Sequence, residues 1–241
     1  MSQRTKSILV VGGGTGGSVL AARLSQQPEV SVTLLEAGPD HEAYDANILD
    51  PALASAAWAG AVPNVTTPMQ LESGGAISML QGRLLGGTSA VNGLATLRGL
   101  PVDYDGWAAS GLEGWGWKDV ENTFITAEKD CDFGDSPIHS AKGPLPVRRW
   151  RRDELSRAQR ACYDGMVEVG EPQAADINDP SQLPGLGIFP VTIDQQGKRV
   201  TTSLAYLTEK VRARPNLTIR TSAEVGRISI DEGRATGVTL L

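Results

Sequence analysis

The sequence of 241 residues predicts an α/β protein, with a Rossmann-like domain that the chain leaves for part of a second domain and re-enters near its end. Three observations carry this. Residues 7–36 run through an apolar stretch, a glycine-rich turn, a helical pattern and a second apolar stretch, which is a βαβ unit. Residues 134–147 and 171–187 are punctuated by Gly and Pro, as passages between ordered units are. Residues 201–241 regain regular patterning.

Along the chain, residues 7–11 (SILVV) lack polar alternation and read as a strand buried on both faces. GGGTGG follows at 12–17. Residues 18–27 (SVLAARLSQQ) have helical apolar spacing through Val19, Leu20 and Leu24, and Pro28 closes the helix. Residues 31–35 (SVTLL) form the next strand, ending at Glu36. Residues 38–80 have weak periodicity and much Pro, Ala and Gly, as a covering loop or lid does. PVDYDGWAASG and GWKDVENTFITAEK read as short helices with Trp107, Val120 and Phe124 as inward anchors, and residues 152–169 are helical. TTSLAYLTEKVRARP is a helix stopped by Pro215, residues 216–220 are a strand, and residues 224–240 form a hairpin around DEGR. Leu241 falls inside that last strand, so the chain reads as the N-terminal part of a longer product.

Composition excludes several classes. Hydrophobic residues make up 40% and charged residues 21%, as in ordinary globular proteins. A net charge of −6 argues against nucleic acid as a partner. The one basic cluster, Arg148, Arg149, Trp150, Arg151 and Arg152, reads as a solvated surface turn. Cys131 and Cys162 lack CxxC spacing, which indicates buried or idle thiols and neither zinc nor a disulfide. No run reaches the length of a transmembrane segment, and the apolar run at 8–11 is too short for a signal peptide, so the cytoplasm is expected.

The first glycine stretch carries chemistry. Gly12, Gly14 and Gly17 match G-x-G-x-x-G: the first permits a tight turn, the second lets backbone approach a pyrophosphate, the third lets helix and strand pack closely. The pyrophosphate then meets the unpaired N–H groups of the helix N-terminus. Glu36 follows about 20 residues on, where a carboxylate can accept both hydroxyls of an adenosine ribose and would repel a 2′-phosphate. The pattern leaves NAD and FAD open.

A second stretch, GRLLGGTSAVNG at 82–93, suggests a longer ligand held from two sides. Followed by LRGLPVDYDGWAASGLEGWGWKDV, it resembles the first signature of the glucose–methanol–choline (GMC) oxidoreductases. ILVVGGGTGGSVLAARLS, TLLEAG and GKRVTTSLAYLTEKVRARPNLTIRTSAEVGRI are similar to further segments of that family in the same order. The resemblance implies an FAD-binding domain over 1–142, the start of a substrate-binding domain over 143–200, and a return to the FAD domain over 201–241. It implies FAD contacts from Gly12, Gly14, Thr15, Gly16, Gly17, Glu36 and Ala37, with Arg83, Gly87, Thr88, Asn92, Gly93, Leu94 and Ala95 in the second cradle and the Val225 backbone at adenine. Some members attach FAD through a His just before the motif's Asn; Val91 stands there, which implies non-covalent FAD. Thr96 replaces the family's usual aromatic residue, a change that reshapes the flavin-side pocket.

The implied reaction is oxidation of the CH–OH group of a small alcohol, with hydride transfer to flavin N5. The family's base is a His far downstream. Neither His41 nor His139 matches it, so no catalytic residue and no metal site are expected within the chain. Asp103 and Asp105 read as helix caps, and Asp176 and Asp179 as turn residues. The sequence leaves the alcohol, the electron acceptor and the oligomeric state open. The alternatives are a nucleotide-binding product without turnover and an NAD-dependent dehydrogenase, against which the second glycine stretch argues.

Overall fold

A computed structural model of the protein describes residues 6–54, 59 and 63–241. In chain order it contains β1 (Lys6–Val11), α1 (Thr15–Leu24), β2 (Val30–Leu35), α2 (Ala46–Leu49), β3 (Asn64–Gln70), β4 (Ala76–Gly82), α3 (Pro101–Ala109), α4 (Trp117–Ala127), β5 (Glu128–Asp130), β6 (Leu145–Arg149), α5 (Arg157–Glu168), β7 (Pro190–Val191), α6 (Thr202–Tyr206), α7 (Glu209–Arg212), β8 (Leu217–Arg220), β9 (Val225–Asp231) and β10 (Arg234–Leu240). The chain forms two compact units, Met1–Gly93 with Gly197–Leu241, and Leu94–Gln196.

The first unit is built on a parallel sheet of order β1-β2-β8, with Val10 opposite Leu34 and Leu34 opposite Ile219. The central strand β2 buries Val30, Val32, Leu34 and Leu35. In β1 only Val10 is buried, which corrects the expectation of burial on both faces. Among the described residues its one strand neighbour is β2, and Leu9 and Val11 are exposed. Helix α1 begins at Thr15, ahead of the expected start, and buries Ser18, Ala21 and Ala22 while Leu20 is exposed. Small residues face the sheet because the glycine turn brings helix and strand close, leaving no room for a leucine.

Residues 38–80 hold more order than a lid pattern suggests. β3 and β4 pair antiparallel from Asn64↔Gly82 to Gln70↔Ala76, turning through Gly74 at φ 82°. The hairpin is exposed on both faces, so no apolar alternation marks it in sequence. The parts of that segment at 55–58 and 60–62 lie outside the described residues. The helix expected over TTSLAYLTEKVRARP is two helices, α6 and α7. Leu207 leaves helical geometry and is buried between them, and the Thr208 carbonyl restarts the ladder by accepting from the Val211 and Arg212 N–H groups. The hairpin β9–β10 is as expected, with Glu232 and Gly233 at positive φ in its turn.

The second unit has a small sheet of order β5-β6-β7 and helices α3 to α5. Arg148 and Arg149 belong to β6 and are buried, correcting the surface-turn reading; Arg151 and Arg152 are exposed. Carboxylates make that burial possible, as described below. Trp107 is 46% exposed and so is no inward anchor. It packs edge-on to Tyr104 and Trp115 in an aromatic cluster that also takes in Phe124. Asp103 caps α3 by accepting from the Leu100 N–H at 2.8 Å, whereas Asp105 accepts from the Trp117 N–H at 3.0 Å and so closes the start of α4. Cys131 and Cys162 are free and exposed, since neither sits on a core face. No helix among the described residues is long and apolar enough to cross a membrane.

Candidate cofactor site

The two glycine stretches meet in the first unit. The Gly86 N–H donates to the Gly13 carbonyl at 2.7 Å. A Cβ on Gly87 would stand 2.6 Å from the Gly14 Cα, and one on Gly17 would stand 1.8 Å from the Gly12 carbonyl oxygen. Backbone contact this close is open to glycine alone. Around it lies a groove of about 390 Å³ lined by Gly12, Gly14, Thr15, Glu36, Ala37, Arg83, Gly87 and Thr88, together with Val65, Gln81 and Gly82 from the β3–β4 hairpin and Glu224.

The groove has polar direction. Gly14 is the N-cap of α1 and offers no side-chain acceptor, so the N–H groups of the first turn are left for a ligand. Glu36 is buried, its two oxygens accepting from the Gly13 N–H at 2.7 Å and the Gly38 N–H at 2.8 Å. Arg83 and Glu224, both lining the groove, are ion-paired. A helix N-terminus, a backbone-held carboxylate and a floor that a Cβ would obstruct fit the ADP half of a dinucleotide.

The remaining expected residues lie elsewhere. Gly16 and Gly17 sit in the first turn of α1 and are not among the groove's lining residues. Val225 opens β9 opposite Leu240, and its neighbour Glu224 lines the groove instead. Asn92 and Gly93 are exposed. Leu94 and Ala95 belong to the second unit, where Leu94 packs on Val191 and Ile193 and its carbonyl accepts from the Thr192 N–H at 3.1 Å. Leu94 holds φ 65°, a strained setting for a branched side chain that is over-determined by this packing.

Several residues that brace the second stretch carry no sequence motif. The Tyr44 hydroxyl donates to the Leu85 carbonyl and meets Thr201 Oγ1 at 3.1 Å and Ser203 Oγ at 3.0 Å. Ser89 Oγ accepts from the Thr202 N–H at 3.1 Å. Arg199, 1% exposed, donates from Nη1 to Asn92 Oδ1 at 2.8 Å and Ser89 O at 3.1 Å, from Nη2 to Asn92 O at 2.8 Å, and from Nε to Ile48 O at 2.9 Å. Burial lowers its pKa to about 10, so it remains a cation at neutral pH. The signal in sequence is faint: the polar run KRVTTS ahead of a helix, whose hydroxyls read as capping alone.

Neither histidine lines the groove. His41 Nε2 lies 3.0 Å from Ser203 Oγ, and burial lowers its pKa. His139, in the second unit, is buried with Nδ1 at 2.7 Å from Glu128 Oε1 and Nε2 at 2.6 Å from Asp176 Oδ2. Burial opposes its charge, but those two carboxylates outweigh it and raise the pKa to about 9. Glu128, Asp130 and His139 cluster as metal ligands could. However, Arg98 holds Glu128 at 2.6 Å and Arg149 holds Asp130 and Asp176, so guanidinium groups already neutralise the acids.

A family model described as GMC oxidoreductase matches residues 6–241. The chain is 38% identical over 250 residues to a 5-(hydroxymethyl)furfural oxidase from Methylovorus sp. (strain MP688), covering 97% of this chain and 45% of that one. It is 35% identical over 245 residues to an oxygen-dependent choline dehydrogenase from Burkholderia thailandensis, covering 100% of this chain and 43% of that one. The crystal structure of pyridoxine 4-oxidase from Mesorbium loti superposes with a TM-score of 0.84 at 32% identity, over 98% of this chain and 47% of that one. The chain thus spans under half the length of the relatives it matches.

Proposed function

Because the chain belongs to the GMC oxidoreductase family, we propose that it forms the FAD-binding portion of an oxidoreductase acting on the CH–OH group of a small alcohol. The observation that carries this reading is the junction of the two glycine stretches beside a groove holding Glu36 and the N-terminus of α1. When bound, FAD supplies the two-electron acceptor, taking hydride from the alcohol carbon at flavin N5. The chain's own residues bind and orient. Glu36 accepts ribose hydroxyls, the α1 amides hold pyrophosphate, and Thr88 and Asn92 serve the second cradle. No residue of the chain is assigned as the base, so a proton acceptor comes from elsewhere.

FAD is held without a bond to the protein in this proposal, because Val91 offers no nucleophile and is packed against Ile48, Leu84 and Ala90. The functional boundaries are proposed at 142/143 and 200/201, on the order of the family-like segments along the chain. The cytoplasm is the proposed compartment: the apolar run near the start is strand β1. Relatives are named for choline, 5-(hydroxymethyl)furfural and pyridoxine, so primary alcohols of these kinds make the first panel of substrates.

The test is purification followed by acid precipitation. A flavin spectrum that leaves with the supernatant supports non-covalent FAD. Flavin remaining in the pellet rejects the non-covalent part, and a colourless protein that takes up no FAD on reconstitution rejects the whole reading.

A further inference from the structure

Arg148, Arg149 and Arg199 are the buried arginines among the described residues. Arg148 holds Glu154, and Arg149 holds Asp130 and Asp176. Among the described residues Arg199 holds no acid: its hydrogen bonds run to three backbone carbonyls and the Asn92 side-chain oxygen. A guanidinium taken out of water without a counter-charge is costly, and neutral dipoles recover only part of that cost. Two of its partners, Ser89 and Asn92, lie within the second glycine stretch, so the charge stands behind the expected flavin cradle. Asn92, exposed on the other side, accepts from Arg199 at Oδ1, and that fixes the amide with its donor end, Nδ2, turned away from the guanidinium. A positive charge behind the stretch favours an electron-rich ligand edge.

Resting on the FAD reading above, we propose that Arg199 is a positioning residue that orients Asn92 and lends the second glycine stretch an unneutralised charge, so that the cradle binds reduced flavin more tightly than oxidised flavin. By linkage, such a preference raises the flavin's midpoint potential.

The test compares wild type, Arg199→Lys, Arg199→Met and Asn92→Asp by FAD titration, dye-equilibrated midpoint potential and melting with and without FAD. Arg199→Met is expected to weaken FAD binding at least tenfold and to lower the potential. Arg199→Lys keeps the charge and holds the potential near wild type while losing part of the affinity. Asn92→Asp neutralises Arg199 in place: the FAD-free protein melts no lower than wild type, yet the potential falls and the FAD-induced rise in melting temperature shrinks. An unchanged potential in both Arg199→Met and Asn92→Asp overturns the proposal and leaves the FAD reading intact. If Arg199→Met does not fold, Asn92→Asp alone decides. A wild-type protein that binds no FAD rejects the underlying reading, and this one with it.

Discussion

Arg149 and Arg199 are both buried, 7% and 1% exposed, yet Arg149 sits between two carboxylates in the second unit and Arg199 touches none in the first. Around Arg149 the ions pair with one another: His139 bridges Glu128 and Asp176, and Arg98 shares Glu128 Oε1 with His139. Such a network neutralises its charges internally. It ties β5 and β6 to the segment holding Asp176, which is a structural task. Around Arg199 the charge meets oxygens of Ile48, Ser89 and Asn92. The same residue type, buried in both units, is ion-paired in one and held by neutral oxygens in the other.

The largest expected effect comes from breaking the closed network. His139→Gln leaves Glu128 and Asp176 without their shared cation, and loss of one partner in a buried ionic cluster costs about 3–5 kcal/mol. Urea unfolding measures it. The pH dependence has a fixed sign. With its pKa raised from 6.5 to about 9, His139 contributes fully below pH 6.5, and that contribution is lost as pH rises through about 9. Burial works to raise the Asp176 pKa, but His139, the Asn178 N–H and Arg149 lower it from 3.8 to about 2, so its contribution is full above 3.8 and is lost as pH falls through about 2. Melting temperature should therefore plateau between pH 3.8 and 6.5, and His139→Gln should flatten the alkaline limb and, by raising the Asp176 pKa, move the acid limb to higher pH.

Breaking the open site should act on ligand before stability. In Gly17→Ala the new Cβ stands 1.8 Å from the Gly12 carbonyl oxygen, a backbone clash worth about 3 kcal/mol that pushes α1 off the turn and removes FAD retention. Gly16→Ala meets nothing within 4 Å and gains up to about 1 kcal/mol of helix propensity. If FAD needs close backbone approach at Gly16, that variant melts higher without FAD and binds it less tightly. Equal FAD affinity in Gly16→Ala would drop Gly16 from the site.

The comparison also explains what the sequence could reveal. The βαβ unit, the β9–β10 hairpin and both glycine stretches were legible because each rests on local constraints: apolar runs, positive φ, backbone contact. The closed network was not, since Glu128, His139, Arg149 and Asp176 are scattered along the chain and acquire partners only on folding. Arg148 and Arg149 read as solvated because a run of arginines carries no mark of the acids that wait for it. Arg199 escaped for the opposite reason: its partners are backbone carbonyls, which have no signature at all. The β3–β4 hairpin is exposed on both faces, so the alternation that reveals a strand never develops.

Glu36 offers a contrast of smaller amplitude, as a buried acid with no cation among the described residues. Its oxygens both accept from backbone N–H groups, so in Glu36→Gln the amide NH₂ must face the N–H of Gly13 or Gly38. One buried donor loses its acceptor, at about 1–3 kcal/mol. FAD affinity is expected to fall about tenfold, the equivalent of roughly 1.4 kcal/mol, as ribose loses a charged acceptor. Chemical denaturation and FAD titration separate the two. A loss of stability with unchanged affinity would make Glu36 a strut like Asp176.

The smallest effect is expected at Arg83 and Glu224, an ion pair on the groove wall with side chains 40% and 47% exposed. An exposed pair contributes at most about 1 kcal/mol to stability, so Arg83→Gln and Glu224→Gln should unfold within that margin of wild type. Their ligand effects should differ in sign. Arg83→Gln leaves the Glu224 carboxylate facing an anionic cofactor and weakens binding. Glu224→Gln releases Arg83 to that anion and tightens it. Both differences should shrink as salt is raised, because the charges are solvent-screened. Affinity moving the same way in both variants would mean that the pair acts as a unit, bracing the groove wall as the closed network braces the second unit, and would place Arg83 with Arg149 rather than with Arg199.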